Sequence, residues 1–387
     1  MIHIKNGNLY TMANGILEGY DILINNGKIE KIGKNLSSEG AKIIDATDRF
    51  VTPGFIDAHS HIGLSENGIG AEGNDHNEAV DPITPHVRAI DGLNPMDLTL
   101  KEAYQAGVTT AVPCPGSANV IGGLCSAIKL YGDRVDNMII KENVAMKVAF
   151  GENPKRFYGS KNKAPATRMG VAGILRDTLF KAEEYLAKKE AANGDITKMP
   201  SFDMKLESLI PVLKKEMPIK VHAHRTDDIF TALRIAKEFD LDMTLDHCTE
   251  GHLIADELKK EERFAIVGPS FGHRGKVEIK EKSFKTAKVL NDAGIFIALT
   301  TDSPVIPLFA LPMCAGLAMR AGLDEETAFK AITINPAKII GIDDRVGSLE
   351  EGKDADIVIS KGHPLTDLTS VVEYTIIDGN IVFESNN

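Results

Sequence analysis

The chain contains no tryptophan, few aromatic residues (6%) and only four cysteines in 387 residues. Cys114, Cys125, Cys248 and Cys314 are scattered and form no CxxC pair, so they read as buried, reduced thiols of a cytoplasmic protein. Positive charge is also scarce, with 44 Lys+Arg against 55 Asp+Glu and a net charge of −11. That balance argues against a nucleic-acid backbone or an anionic membrane surface as the main partner, since both demand clustered Lys and Arg. No apolar run approaches the ~20 residues that span a bilayer. The opening Met1-Ile2-His3-Ile4-Lys5 lacks an apolar signal core. What remains, 43% hydrophobic and 26% charged, is an ordinary globular mixture. The length fits one large domain plus a smaller one, or two to three average ones.

The two ends are alike in pattern and unlike the middle. Residues 1–52 alternate short apolar runs with turns such as Asn6-Gly7-Asn8 and Asn25-Asn26-Gly27, a strong hairpin signal. The tail repeats the style in Asp356-Ile357-Val358-Ile359 and Tyr374-Thr375-Ile376-Ile377-Asp378-Gly379-Asn380. Neither end alone can build a stable sheet core, so residues 1–52 and 345–387 are expected to form one composite β-sandwich domain. Between them, 53–344 alternates apolar runs with helical stretches. Eight candidate strands lie near 54–58, 108–113, 125–131, 144–150, 218–223, 242–247, 264–268 and 295–301. Eight βα units in that span predict an α/β fold, a (β/α)8 TIM barrel. The Gly/Asn/Asp/Pro-rich stretch 63–95 is too long for a plain connection and reads as a functional loop or active-site lid.

The sharpest chemical signal is Pro53-Gly54-Phe55-Ile56-Asp57-Ala58-His59-Ser60-His61. Residues i and i+2 of a strand share a face, so His59 and His61 project together at the rim where barrel enzymes place their sites. Alone, this pair is also consistent with a surface turn. The later strands weigh against that. Strand five ends His222-Ala223-His224-Arg225, strand six Asp246-His247, and strand eight Thr300-Thr301-Asp302. Metal-competent groups gathered at one end of four strands point to a divalent metal site.

These motifs, with the closing Val346-Gly347-Ser348-Leu349-Glu350-Glu351-Gly352-Lys353-Asp354-Ala355-Asp356, resemble the amidohydrolase superfamily over essentially the whole chain. The likeness is greatest to its imidazolonepropionase- and prolidase-related branch. The resemblance implies a barrel with a composite β-sandwich and one or two divalent ions, most often zinc, with manganese, iron or cobalt as alternatives. By position, His59 and His61 match first-strand ligands, His222 and His247 those of strands five and six, and Asp302 the Asp that binds metal and handles protons. Two fourth-strand groups are candidates for a bridge between two metals. Met146, Val148 and Phe150 form an apolar face, so Lys147 points into the barrel and resembles a carboxylated bridging lysine. Glu152 instead resembles the bridging Glu of adenine deaminases. Both stay open here, as does a single-metal site in which Lys147 is a structural ion pair with Asp57 or Glu152.

The resemblance implies attack on a carbonyl by metal-activated water, with Asp302 as general base and then acid. Aromatic-base deaminases carry a Glu three residues after the fifth-strand His; here that position is Arg225, with His224 before it. The departure favours hydrolysis of an amide-type, non-aromatic or cyclic C–N bond in a small molecule. His224 is then a candidate to polarise the scissile carbonyl or to bind an anion, and its bland alternative is a hydrogen-bonded rim residue. A heterocycle deaminase using Glu250 as its shuttle is the alternative, and a non-catalytic scaffold a lesser one. A homo-oligomer is the family-based expectation.

Overall fold

The hairpins expected at the two ends become strands that find each other across the chain. In a computed structural model, which describes residues 1–385, one sheet orders Asn380–Glu384, Val371–Ile377, Ile357–Lys361, Phe50–Pro53, Ile2–Tyr10, Ile16–Asn25 and Lys28–Gly33. Lys42–Asp45 adds to it as a parallel neighbour of Ile2–Tyr10. The join between the ends is antiparallel, with Ile357 opposite Pro53 and Ser360 opposite Phe50. Ile4, Leu9, Ile22, Val51, Ile359 and Ile376 fill a core that neither end could make alone. Positions 386 and 387, the end of the segment expected to join this sheet, lie outside the described residues.

The middle of the chain forms the second eight-stranded sheet, a nearly closed barrel. Its strands in chain order are Phe55–Ser60, Val108–Pro113, Ile121–Lys129, Ile139–Ala149, Ile219–Ala223, Met243–His247, Phe264–Val267 and Ile297–Leu299. Seven run parallel. The third is antiparallel to both neighbours, with Thr110 opposite Lys129 and Leu124 opposite Met146. This corrects the expectation of eight identical βα units. A parallel crossover needs a dozen or more residues, and the links 114–120 and 130–138 are too short to supply one. Alternation along a strand carries no sign of its direction.

The first and eighth strands meet through side chains. Thr300 Oγ1 donates to the His59 carbonyl at 2.7 Å, and Thr301 gives Asp57 Oδ2 its backbone N–H at 2.9 Å and its hydroxyl at 2.7 Å. Helices pack outside. Thr226–Glu238 buries Ile229, Leu233 and Ala236 on one stripe against the barrel, as their spacing predicts. The stretch 324–340 forms two helices, Glu325–Lys330 and Ile334–Ile340. All four cysteines are free and buried.

Candidate metal centre

The strand pattern delivers six side chains to one end of the barrel. His59, His61 and Asp302 form one trio and His222, His224 and His247 another, with the candidate ligand atoms of each trio within 4.8 Å of one another. The trios share a floor: the His59 and His247 rings are 4.8 Å apart, and those of His222 and His247 4.4 Å. His247, the last residue of its strand, and Asp302, three residues past the eighth, lie in the left-handed region at φ 72° and 53°. For non-glycine residues that conformation costs on the order of 1–3 kcal/mol each and concentrates at functional sites.

Each imidazole is aimed by the nitrogen that faces away. His59 Nδ1 is 2.5 Å from Asp246 Oδ2, His61 Nδ1 is 2.7 Å from the Cys114 carbonyl, and His247 Nδ1 is 2.8 Å from the Gly268 carbonyl. His224 Nδ1 lies 2.7 Å from Thr249 Oγ1. A carbonyl or carboxylate at Nδ1 fixes the tautomer and leaves Nε2 as a lone-pair donor. His222 runs the other way, its Nε2 facing Asn153 Nδ2 at 3.4 Å and Glu278 Oε1 at 3.9 Å. Behind His59, Lys220 pairs with Asp246 at 3.1 Å, and Thr244 Oγ1 donates to the same carboxylate.

Protonation states suit a cation. Burial pushes His222 and His247 well below the ordinary imidazole range, reinforced by neighbouring imidazoles. His224 is pushed down to about 4 by burial, against the pull of Glu278. Burial would raise Asp302, but His247 and the His59 and His61 imidazoles, each 3.3 Å from Oδ1, hold it well below the usual carboxylate range. Two buried atoms at the centre, His247 Nε2 and Asp302 Oδ1, have no hydrogen-bond partner. Such orphans are costly unless something binds them. Burial and Lys147 would lower His59, but Asp246 outweighs them and raises it. Five imidazoles and a carboxylate match a divalent ion of the zinc, manganese, iron or cobalt kind, so the residues present fit the expected metal.

The two bridge candidates are placed differently. Lys147 is fully buried inside the barrel, with Nζ 3.1 Å from His59 Nε2, while Met146, Val148 and Phe150 pack outward into the apolar core. Asp57 does not meet this lysine; its carboxylate takes the bonds from Thr301 described above and the His59 N–H at 3.0 Å. Glu152 opens the helix Glu152–Gly159, and its carboxylate accepts the Glu278 N–H at 3.4 Å and lies 3.7 Å from Arg156. Arg225 forms a two-pronged pair with Asp227 at 2.9 and 3.0 Å. Glu250 accepts the Thr226 N–H at 2.9 Å and so caps the helix that follows.

Sequence reasoning missed Lys276 and Glu278, on the loop after the seventh strand. Glu278 is buried, with Oε1 3.8 Å from His224 Nε2 and 3.2 Å from Lys276 Nζ, and Oε2 accepting the Glu152 N–H at 2.8 Å. Gly151, at φ 84°, permits this approach, since a Cβ there would meet Glu278 Oε2 at 2.8 Å. The unusual charge density of 273–282 was the available signal. Of the long stretch 63–95, His76 and Asn77 reach the cleft above the metal cluster, a space of about 580 Å³. Bonds from Gly116 N to the His76 carbonyl and from Ala118 N to Asn77 Oδ1 fasten the stretch beside the cleft it was expected to cover.

A barrel with a composite terminal sheet and a histidine–aspartate cluster at its mouth defines a metal-dependent hydrolase type of fold. The chain belongs to the amidohydrolase family, which it matches over residues 50–382, and it is an enzyme of that class. It is 45% identical to an amidohydrolase from Thermotoga maritima MSB8, with a TM-score of 0.96 and 100% of both chains covered. It is 30% identical to Amidohydrolase tasK of Hapsidospora irregularis over 94% of this chain, but spans only 40% of that relative's length. An imidazolonepropionase of Clostridium tetani is 24% identical over 96% of this chain and 92% of its own. Among the described residues no helix is long and apolar enough to cross a membrane.

Proposed function

We propose that this chain hydrolyses an amide-type C–N bond of a small molecule, using divalent ions held by His59, His61, His222, His247 and Asp302. The observation that carries the reading is the pair of orphaned atoms, His247 Nε2 and Asp302 Oδ1, inside a ring of imidazoles whose outer nitrogens are already engaged. A bound divalent ion supplies Lewis acidity and lowers the pKa of water into the neutral range. The remaining work falls to the chain. Asp302, held ionised by its imidazole neighbours, takes a proton from the attacking water and returns it to the leaving nitrogen. His224, neutral near pH 7, donates a hydrogen bond to the scissile carbonyl.

Lys147 is the proposed bridge, favoured over Glu152 by its contact with His59. Its free amine would add carbon dioxide and release a proton, giving an anionic carbamate in place of a buried ammonium. Zinc is the proposed native metal. The alternative deaminase reading loses support because Glu250 is occupied as a helix cap.

Elemental analysis tests this. Wild-type protein and Glu152→Ala should carry about two ions per chain, and Lys147→Ala should carry fewer. The converse pattern would transfer the bridge to Glu152. Protein that stays metal-free after growth with zinc or manganese would overturn the catalytic reading and favour a scaffold. Release of ammonia from a heterocycle, rather than an amine and a carboxylate, would favour the deaminase.

A further inference from the structure

We propose that the loop after the seventh strand holds a second binding site, for a phosphate monoester with an apolar body, in which Arg274, Lys282 and Ser283 take the phosphoryl group. The site is a space of about 420 Å³ lined by Ser270, Phe271, Arg274, Lys282, Ser283 and Phe284. Among the described residues, none lines both this space and the cleft above the histidines, and no acidic side chain lines it. The site therefore stands apart from the hydrolase reading.

The observation that carries the site is a pair of cations without counter-charge. The chain has carboxylates to spare, at a net charge of −11. In the loop, Lys276 meets Glu278 at 3.2 Å and Lys280 meets Glu281 at 3.9 Å. Among the described residues, Arg274 and Lys282 bond only backbone carbonyls. The Lys282 ammonium donates to the Phe271 carbonyl at 3.0 Å and the His273 carbonyl at 3.2 Å. Arg274 donates from Nε and Nη2 to the Lys280 and Lys282 carbonyls, both at 2.7 Å. Carbonyls satisfy hydrogen bonds but do not cancel charge, and a buried, uncancelled charge is costly. Arg274 is exposed at the rim, whereas Lys282 is only 6% exposed. Of the four buried lysines among the described residues, Lys129 and Lys220 meet carboxylates at 2.6 and 3.1 Å, and Lys147 belongs to the metal centre. Lys282 has neither explanation. Burial, with Arg274 and Lys276 nearby, pushes it below the ordinary lysine range against the pull of Asp302.

The unspent donors set the chemistry of the ligand. An ammonium has three protons and a guanidinium five, so one N–H of Lys282 and three of Arg274 are uncommitted. Ser283 Oγ accepts the Lys285 N–H at 3.2 Å, which leaves its hydroxyl hydrogen free. Two uncancelled charges and this many donors suit a group of charge near −2 with three terminal oxygens. A phosphate monoester is such a group at neutral pH; a carboxylate offers one charge and two oxygens. The Phe271 and Phe284 rings, 6.5 Å apart and tilted by 32°, add an apolar wall for the organic part. Phe271 is 44% exposed, so that wall is reached from solvent.

Calorimetry on full-length, metal-loaded protein in phosphate-free buffer tests the site with phenyl phosphate, inorganic phosphate and benzoate. Phenyl phosphate should bind most tightly. Lys282→Met should weaken it about 10- to 100-fold, the worth of hydrogen bonds from a charged group. Arg274→Met, at the rim, should do likewise, and Arg274→Lys should keep part of the affinity. The two rim variants keep the test decisive if Lys282→Met does not fold. Inorganic phosphate that binds as tightly as phenyl phosphate, and is lost in the same variants, would uphold the phosphoryl grip and overturn the apolar body. Benzoate that matches phenyl phosphate would overturn the phosphate assignment. Phosphates also bind metal ions, so the titration is repeated after chelation. Heat that vanishes with the metal, or that survives both Met variants, would overturn the site. So would no binding at millimolar phenyl phosphate.

Discussion

Two buried clusters of charge in this protein are built on opposite rules. At the mouth of the barrel, imidazoles and Asp302 surround His247 Nε2 and Asp302 Oδ1, which have no hydrogen-bond partner among the described residues. At the junction of barrel and terminal sheet, Lys129 enters a nest of carboxylates. It lies 2.6 Å from Asp356 and 3.1 Å from both Asp354 and Asp378. Asp354 also meets Lys28 at 2.5 Å and Arg345 at 2.7 Å, giving three cations for three anions. None of those carboxylate or ammonium atoms is orphaned. The junction is closed on itself and joins two sheets; the mouth is left open for a guest. Burial alone does not separate the two, because Lys129, Asp354 and Asp356 at the junction are as shielded as the histidines at the mouth. The distinguishing feature is which cluster leaves valences unfilled.

Substitution should break the two clusters in different currencies. The largest expected effect is on turnover: Asp302→Asn should lower kcat by about 10²–10⁴-fold, the usual weight of a positioned general base. The thermal midpoint of the metal-free protein should move less than in the junction variant described next. Steady-state rates beside calorimetric melts would check both halves, and unimpaired turnover would remove Asp302 from proton transfer. Lys129→Met should do the reverse. It strands buried carboxylates and should cost about 3–5 kcal/mol of stability, read by denaturant unfolding. The folded fraction should keep its full metal complement. Loss of metal in that variant would mean the two clusters are coupled and the contrast is false.

Asp246→Asn probes a group between these extremes, closed like the junction but serving the mouth. Asp246 aims His59 and is itself held by Lys220 and Thr244. Loss of such a support typically weakens metal affinity about 10- to 100-fold, measurable by chelator competition. An unchanged affinity would make the Lys220–Asp246 pair purely structural.

The contrast also explains what could be read before folding. His59 and His61 were legible because two residues on one strand face obey a period of two, and Lys147 because Met146, Val148 and Phe150 claim the other face. The placement of Lys147 beside His59 spans a separation of 88 positions that carries no periodic trace. Lys276 and Glu278 were illegible for the same reason. They sit on an irregular loop, and their partners Asn153 and Glu152 come from a different strand end. The Lys129 nest joins residues more than 220 positions apart, a contact that only the meeting of the two chain ends creates. The reversed third strand escaped notice because side-chain alternation is the same in either direction.

Acidity provides the smallest and most direct separation of the two regions. Burial lowers three of the mouth histidines, His222, His224 and His247, below the ordinary value of 6.5, His224 to about 4. An imidazole depressed in the folded state stays unprotonated there while the unfolded chain takes up a proton near 6.5. Its stabilising share is therefore present above 6.5 and lost as the pH falls toward the folded value. Lys129 behaves oppositely: burial lowers it, but its three carboxylates win and raise it above 10.5. Its share is present below 10.5 and is lost only as alkali carries the pH through the raised value. The metal-free protein should thus lose about 1 kcal/mol for each neutral-held histidine between roughly pH 7.5 and 5.5. His224→Asn should remove one such share from the slope, and Lys129→Met should leave that limb parallel to wild type. If His224→Asn melts with the wild-type slope, His224 is already protonated in the fold and cannot be the neutral donor at the scissile carbonyl.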